Sequence, residues 1–244
     1  MQLVILAAGQ GTRLGDKAQN KPKCLVAVNA NDVYFSRQLT AFNKFSFSKK
    51  MIVGGYGIDV LKAFLQQQGE ADYELITNTE FHKGNLYSLL AAKNGITDGF
   101  FVFNADHYYS PETYEKMLTT APSQITIYCD QDRDLSDDDM KVLSCENSIL
   151  SIDKKLHDFD YGYVGVTFVP QHKLQTYWQA VEATTQRLGD KAHVEAVLNE
   201  LITHDEKINI VDISGSWWTE IDTPEDLVQA SKIIFEATKD EKNN

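Results

Sequence analysis

Short apolar segments alternate with amphipathic ones along the first half of this 244-residue chain, and no other feature limits its fold as strongly. The apolar segments have the length of buried strands, and the amphipathic ones have the period of helices packed on one side. Strands that alternate with helices form a mostly parallel sheet covered by helices. The sequence therefore predicts a doubly wound, Rossmann-like α/β fold, with strands at 2–6, 51–54, 73–77 and 100–103 and helices at 33–45, 58–67, 85–94 and from Pro111.

The pattern changes after residue 124, where short β segments follow one another with turn residues between them. These segments read ITIYCD, KVLSCE, SILSID and YVGVTFV, and they predict a small antiparallel addition to the sheet. The stretch DQDRDLSDDDM lies between the first two. Its charge predicts a solvated, mobile loop unless something cationic orders it.

The last third of the chain predicts helices and one more strand. The helices are at 172–187 and 193–201, and the strand is at 208–213. A final helix follows, with Thr223 as its N-cap and Pro224 in its first turn. Because there is no linker or internal repeat, we predict a single domain at 1–238 and a frayed polar tail at 239–244.

Composition disfavours several classes of protein. A formal net charge of −12 argues against a general nucleic-acid binder, which normally has a basic face. The three cysteines make no C-x-x-C pair, so we interpret them as reduced thiols in a cytosol. The N-terminal apolar stretch is too short to span a membrane and has no basic region before it. We therefore expect a cytoplasmic protein without membrane insertion.

The run LAAGQGTRLG places glycines directly after the first predicted strand, at the edge where α/β sheets bind ligands. Gly9 and Gly11 allow backbone N–H groups to approach a phosphate. The run matches neither a Walker A loop nor the dinucleotide fingerprint, whose third glycine is replaced here by Leu14. Arg13 adds a planar fork and Lys23 a compact charge, which together predict a triphosphate cradle. The alternative is that both are surface charges around an ordinary turn.

Carboxylates at two distant places in the sequence predict a metal site. Asp106 follows the predicted strand at 100–103, so it lies at the same edge of the sheet. Glu220 and Asp222 are two residues apart and face one side of an extended segment. Mg²⁺ prefers one or two carboxylates plus phosphate oxygens, so one of this pair could complete a site with Asp106. Capping of a turn or helix is the alternative for both aspartates.

The run HKGNLYSLLAAKN opens a predicted helix at Gly84 and Asn85. Asn85 and Ser88 offer both donors and acceptors, as recognition of a cytosine edge requires. Simple N-capping of the helix by Asn85 is the alternative.

With these motifs, the chain resembles the nucleotidyltransferase superfamily of sugar-nucleotide pyrophosphorylases. It is most similar to the CTP-dependent branch, which contains L-myo-inositol-1-phosphate cytidylyltransferases and phosphocholine cytidylyltransferases. The motifs occur in the family's order over nearly the whole chain: LAAGQGTRLG, KPKCLV, KGNLYSLLAAKN, NADHYYS, DKKLHDFDYGYVGV and WTEIDTPEDL.

The resemblance implies a nucleotide-diphospho-sugar transferase fold in which one strand of the mostly parallel sheet is reversed. It implies Arg13 and Lys23 as catalytic residues on the CTP phosphates and Mg²⁺ held by Asp106 and Asp222. The nucleotide-binding residues that it implies are Leu6, Ala7, Ala8, Gly9, Gln10, Gly11, Thr12, Asn78, Gly84, Asn85 and Ser88. Those that it implies for the second substrate are Lys141, Lys154, Tyr163 and Glu220, and for the two lysines an exposed loop position is the alternative.

The reaction that the resemblance implies is attack by a phosphorylated small alcohol on the α-phosphorus of CTP, with release of pyrophosphate. Inositol phosphate, phosphocholine or a similar compound could be the acceptor. The protein could also form a homodimer. Tyr161, Tyr163, Trp217 and Trp218 could form an aromatic wall for a quaternary ammonium, or could simply pack in the core. The alternatives are a sugar-1-phosphate nucleotidyltransferase that uses UTP or dTTP, and a non-catalytic nucleotide-sensing domain.

Overall fold

A nine-stranded sheet forms the centre of the computed structural model, which describes residues 1–18, 20–29, 32–119 and 121–243. The strands in the described residues are β1 (Gln2–Ala7), β2 (Ala27–Asn29), β3 (Asp32–Val33), β4 (Lys49–Gly54), β5 (Tyr73–Thr77), β6 (Phe100–Asn104), β7 (His107–Tyr109), β8 (Thr126–Asp130), β9 (Lys141–Cys145), β10 (Ser148–Asp153), β11 (Tyr161–Val169), β12 (Asn209–Asp212) and β13 (Trp218–Glu220). The α-helices are α1 (Tyr34–Phe42), α2 (Ile58–Gln68), α3 (Leu86–Ala92), α4 (Pro111–Leu118), α5 (Leu174–Leu188), α6 (Val194–Thr203) and α7 (Pro224–Asn243).

The strand order of the large sheet is β5-β4-β1-β6-β11-β8-β12-β10-β9. Strands β5, β4, β1 and β6 are parallel, and β12 is parallel to β8. Strand β11 runs antiparallel to both of its neighbours, β6 and β8. Strands β9 and β10 pair antiparallel at the far end. The doubly wound sheet with one reversed strand and a small antiparallel addition is therefore confirmed.

Two hydrophobic cores lie on opposite faces of the sheet. Leu3 and Ile5 of β1 pack into the first core with residues of α1, α2, α4 and α7, whereas Val4 and Leu6 pack into the second with residues of α3, α5 and α6. This division follows from the alternation of side chains along a strand. Because β1 is buried on both faces, it is apolar throughout its middle, as expected for a central parallel strand. None of the helices in the described ranges is long and apolar enough to cross a membrane.

The sequence predicted the start of the last helix correctly, but the helix is longer than predicted at its other end. The hydroxyl of Thr223 accepts a hydrogen bond from the Asp226 N–H at 3.2 Å, and the Asp226 carboxylate accepts one from the Thr223 N–H at 2.8 Å. This reciprocal capping confirms Thr223 as the N-cap. At its other end α7 continues to Asn243, through most of the segment predicted as a frayed tail, and Asn244 lies outside the described residues. The single domain stays a prediction.

Candidate active site

A cavity of about 420 Å³ lies at the carboxyl edge of the sheet, where β1 and β6 end. Open α/β sheets bind their ligands at this edge. Of the residues predicted for the site, the cavity is lined by Leu6, Ala8, Gly9, Arg13, Lys23, Asn85, Ser88, Asp106, Lys154, Tyr163, Glu220 and Asp222. Its lining does not include Ala7, Gln10, Gly11, Thr12, Asn78, Gly84 or Lys141.

The glycine loop is folded tightly against Lys23. The Lys23 N–H donates to the carbonyl oxygen of Gly9 at 3.0 Å. Gly11 has a φ of +69°, and a Cβ added there would lie 3.2 Å from the side chain of Lys23. Glycine is therefore needed at Gly11 for both conformation and space. Leu14, which replaces the third glycine of a dinucleotide fingerprint, is buried in the core, so this position fixes the loop to the domain instead of approaching a ligand.

Lys23 lies between two carboxylates that are far apart in the sequence. Its ammonium group contacts Asp106 Oδ2 and Asp222 Oδ1, and Arg13 Nη2 lies 2.6 Å from Asp222 Oδ2. The Ile221 N–H donates to the Asp106 carbonyl oxygen at 3.0 Å, which joins the loop after β6 to the segment after β13. The four residues of the predicted triphosphate cradle and metal site therefore come together in one cluster.

The charges of this cluster stabilise one another. Burial disfavours the charged form of Lys23, but the attraction of Asp106 and Asp222 outweighs it and raises the pKa of the lysine. Burial also opposes ionisation of Asp106, but Lys23 and His107 hold the pKa of this carboxyl well below its usual range. Lys23 and Asp106 are therefore both charged at neutral pH.

The carboxylate pair fits a divalent metal ion. Asp106 and Asp222 already converge on one cation, the Lys23 ammonium, and their oxygens are the donors that Mg²⁺ prefers. Ligand atoms of Asp106, His107 and Glu220 also lie within 4.8 Å of one another, a spacing that could hold a metal ion. The first position offers carboxylate oxygens alone, whereas the second adds a ring nitrogen of His107.

Glu220 lies beside His107 on the paired strands β7 and β13. Its carboxylate Oε2 is 3.8 Å from His107 Nε2. Burial raises the pKa of Glu220 to about 7; the charge of His107 opposes this rise, and the neighbouring aspartates add to it. Burial would lower the pKa of His107, but Glu220 and Asp106 outweigh it and raise this pKa.

The predicted base-binding residues are held by contacts with neighbouring segments. Asn78 Nδ2 donates to Ser88 Oγ at 3.0 Å, and both side chains are buried. Asn85 does not cap its own helix; its Oδ1 accepts the Val194 N–H at 2.9 Å, so it joins α3 to the start of α6. A Cβ added at Gly84 would lie 1.9 Å from the carbonyl oxygen of Ala192, which explains the glycine there.

The two predicted acceptor lysines have different positions. Lys154 lines the cavity, and its Nζ lies 3.7 Å from Asp138 Oδ1. Lys141 is buried, and its Nζ donates to the carbonyl oxygens of Ser136 at 2.7 Å and Lys154 at 2.9 Å. Lys141 therefore ties the acidic loop to the strand that precedes Lys154.

Basic side chains contact the acidic loop, which the sequence predicts to be solvated and mobile unless something cationic orders it. Asp138 Oδ2 lies 3.5 Å from Arg13 Nη1, so one carboxylate bridges Arg13 and Lys154. Asp139 Oδ1 lies 3.6 Å from Arg133 Nη2. Both aspartates line the cavity, and the loop therefore forms part of its wall.

The aromatic residues proposed as a wall for a quaternary ammonium are mostly elsewhere. Trp218 stacks on His107 and donates its Nε1–H to Asp130 at 2.6 Å. Trp217 packs against Tyr108. Of the aromatic residues proposed for this wall, only Tyr163 is in the cavity lining, and its hydroxyl is hydrogen-bonded to Thr167 at 2.8 Å. Packing is therefore the role that the structure gives to both tryptophans.

Sequence reasoning missed Glu195, a buried carboxylate in the cavity lining. No hydrogen bond to this carboxylate occurs within the described part of the chain. Its nearest basic atom is His193 Nδ1 at 3.9 Å, and this nitrogen accepts the Ala196 N–H at 3.1 Å and so carries no proton. The one feature of the sequence that could have indicated Glu195 is its position as a charged residue within the apolar run of α6. Helical periodicity alone does not assign a function to such a residue.

Solved structures of nucleotidyltransferases have the same fold. The inositol-1-phosphate CTP transferase from T. maritima superposes with a TM-score of 0.80 over 95% of this chain and 96% of its own, at 21% sequence identity. At this identity the likeness establishes the fold alone.

Curated relatives are named as transferases and cytidylyltransferases. A bifunctional IPC transferase and DIPP synthase from Archaeoglobus fulgidus is 28% identical over 97% of this chain and 44% of its own length. A CTP:phosphoglutamine cytidylyltransferase from Campylobacter jejuni is 23% identical over 95% of this chain and its full length. The chain spans about half the length of the first relatives of the bifunctional type.

A match to a family model classifies the chain. The model for the MobA-like NTP transferase domain matches residues 3–200, which include the glycine loop, Lys23 and Asp106. This match confirms the resemblance to nucleotidyltransferases that the sequence motifs indicated. Because it covers well over half of the chain, the protein belongs to the family of MobA-like NTP transferase domains.

Proposed function

We propose that this protein is a cytidylyltransferase that couples a phosphorylated small alcohol to CMP, with CTP as donor and pyrophosphate as product. The observation that carries the proposal is the cluster of Arg13, Lys23, Asp106 and Asp222 at the carboxyl edge of the sheet. Relatives named as cytidylyltransferases, which match over most of this chain, support CTP as the donor. The proposed site of action is the cytoplasm.

The residues of the cluster would act by positioning and by charge neutralisation. The attacking phosphate oxygen of the acceptor is already anionic, so no general base is required. Arg13 and Lys23 would bind the CTP phosphates and stabilise the charge that develops on the α-phosphoryl oxygens and on pyrophosphate. Asp106 and Asp222 would hold Mg²⁺, which neutralises phosphate charge when bound.

Nucleotide binding would exchange the partners of Arg13 and Lys23. Asp222 pairs with both Arg13 and Lys23, and Asp138 pairs with Arg13. Phosphate oxygens would replace these carboxylates as partners of the two cations. The released carboxylate of Asp222 would then be available to Mg²⁺.

The acceptor would bind against Lys154, Tyr163 and Glu195, which all line the cavity. Lys154 offers the positive charge that the acceptor phosphate requires. Glu195 offers a buried carboxylate to which no described residue donates a hydrogen bond, which suits a hydroxyl group of the alcohol. The absence of Trp217 and Trp218 from this lining disfavours an aromatic cage for a quaternary ammonium.

A pyrophosphate-release assay tests the proposal. Inositol phosphate, glycerol phosphate, phosphoethanolamine and phosphocholine would be assayed with CTP, UTP or dTTP and Mg²⁺. We expect turnover with CTP, and we expect Asp106→Ala or Lys23→Ala to lower kcat by roughly 10²–10³-fold, the effect of losing one preorganised electrostatic group. Faster turnover with UTP or dTTP would indicate a sugar-1-phosphate nucleotidyltransferase. Binding of CTP with no turnover of any acceptor would indicate a sensing domain.

A further inference from the structure

The imidazole of His107 is buried and held in one orientation by Trp218 and Gly165. Only 6% of the residue is exposed. Trp218 stacks on one face, with ring centroids 5.7 Å apart and planes at 1° to each other. Gly165 lies close to the ring, and a Cβ added there would be 2.8 Å from His107 Nε2. Nothing larger than glycine fits at that position without moving the ring.

The clamped ring directs its two nitrogens at two carboxylates. The His107 Nδ1–H donates a hydrogen bond to Asp106 Oδ1 at 2.8 Å, whereas Asp106 Oδ2 contacts Lys23. His107 Nε2 points towards Glu220 Oε2 at 3.8 Å. Each oxygen of Asp106 therefore has its own partner, and the plane of the carboxylate is defined.

The backbone around Asp106 is fixed independently of His107. The side chain of Gln38, fully buried in α1, donates to the carbonyl oxygens of Asn104 at 3.2 Å and His107 at 2.9 Å. The Ile221 N–H donates to the Asp106 carbonyl oxygen at 3.0 Å. With the backbone held on both sides, rotation of its side chain is the main freedom left to Asp106.

We propose that His107 is a positioning residue that fixes the rotation of the Asp106 carboxylate. It keeps Oδ2 directed at the cation that Asp106 binds, which is the Lys23 ammonium here and the divalent metal ion in the proposed function. The proposal rests on the function proposed above, because it assigns Asp106 to a metal–nucleotide site. It also makes His107 a hydrogen-bond partner of a metal ligand, because its Nδ1–H is donated to the Asp106 carboxylate and so is not available to the ion that Asp106 holds. Partners of this kind typically change metal affinity by 10–100-fold when they are removed.

Two substitutions of His107 distinguish the roles of its two ring nitrogens. An asparagine amide places a donor near the position of Nδ1, and a glutamine amide places one near the position of Nε2. The readout is Mn²⁺ binding by electron paramagnetic resonance, in the presence of CTP and without an acceptor. We expect His107→Gln to weaken Mn²⁺ binding about tenfold or more, and His107→Asn to stay within about threefold of the unmodified protein. His204→Gln, at an exposed histidine outside the cavity lining, is the matched control.

Several results would overturn the proposal. Mn²⁺ affinity in His107→Gln equal to that of the unmodified protein would do so. Equal losses in the Asn and Gln variants, with equal falls in Tm, would leave only a packing role. Direct ¹⁴N coupling to bound Mn²⁺ in pulsed resonance would make His107 a ligand. Failure of the unmodified protein to bind Mn²⁺ with CTP would instead refute the proposed function.

If His107→Gln does not fold, a change in the clamp gives a second test. Trp218→Leu removes the stacked ring but keeps the imidazole donor. We expect Mn²⁺ affinity in the presence of CTP to fall by about threefold to tenfold in this variant, at the lower end of the range for such partners. An unchanged affinity in folded Trp218→Leu would overturn the clamp and with it the proposal.

Discussion

Asp138 pairs with two cations that the proposed reaction needs, so replacing it should improve substrate binding. Its carboxylate lies 3.5 Å from Arg13 and 3.7 Å from Lys154, and 77% of its side chain is exposed. Exposed ion pairs are worth about 0.2–1 kcal/mol each, so each pair competes with the phosphate of one substrate by up to about 1 kcal/mol. That free energy corresponds to about fivefold in affinity.

We therefore expect Asp138→Asn to lower KM for CTP and for the acceptor by about twofold to fivefold, with kcat unchanged. Steady-state pyrophosphate release measures both constants. Asp137→Asn is the matched control, because this neighbouring aspartate is exposed and forms no ion pair within the described residues. The difference between Asp138→Asn and the unmodified protein should disappear at about 0.5 M salt, because salt screens exposed charges.

A KM that stays the same or rises in Asp138→Asn would refute this reasoning. It would mean that the Asp138 carboxylate binds substrate or organises the loop more than it competes with phosphate. A similar fall in KM in Asp137→Asn would also refute it, because the effect would then come from the net charge of the loop.

Three further changes test other parts of the structure. In Gly84→Ala the new Cβ would meet the Ala192 carbonyl oxygen at 1.9 Å, so we expect the free energy of unfolding to fall by about 1–3 kcal/mol, measured by thermal denaturation. Glu220 has a pKa raised to about 7 by burial, so the stability that its protonated form contributes is present below its unfolded pKa and is lost as pH rises through 7. The unmodified protein should therefore lose about 2 kcal/mol relative to Glu220→Gln between pH 5 and 8, measured by denaturant unfolding. Glu195→Gln should raise KM for the acceptor by about tenfold and leave KM for CTP unchanged, because a hydrogen bond to a charged group is lost.

Each of these three predictions would be contradicted by a specific result. A Gly84→Ala protein as stable as the unmodified one would mean that α3 and α6 move apart without cost. A stability difference for Glu220→Gln that is constant with pH would show that Glu220 titrates normally in the folded state. A rise in KM for CTP in Glu195→Gln, with no change for the acceptor, would place Glu195 at the nucleotide.

Local patterns were enough to predict the sheet, because burial on both faces makes central strands such as β1 apolar and covering helices amphipathic. The position of the glycine loop followed from the same logic, since it comes directly after the first strand. The cluster around Lys23 is different. Asp106 and Asp222 come together through β7 and β13, and a two-residue spacing did not show which of Glu220 and Asp222 would contact the lysine.

Residues whose partners come from distant segments were the hardest to predict. Lys141 and Lys154 look alike in the sequence, but only the tertiary structure buries Lys141 among the loop carbonyls. Asn85 is placed like a helix cap, and yet its partner lies 109 residues further along the chain. Asp138 is one of three consecutive aspartates, and only the positions of Arg13 and Lys154 distinguish it from Asp137. Periodicity and spacing contain no information about such contacts.

The position of Lys23 between its two carboxylates also has a consequence during protein synthesis. Lys23 and Asp222 are separated by 199 residues, so at roughly 5–20 residues per second the ribosome needs about 10–40 s to supply the second carboxylate. Once β4 and β6 have been made, the nascent chain contains the glycine loop and can pair its first strands. A chain released before β13 is made would lack Asp222, and we expect it to be unable to retain a metal-bound nucleotide.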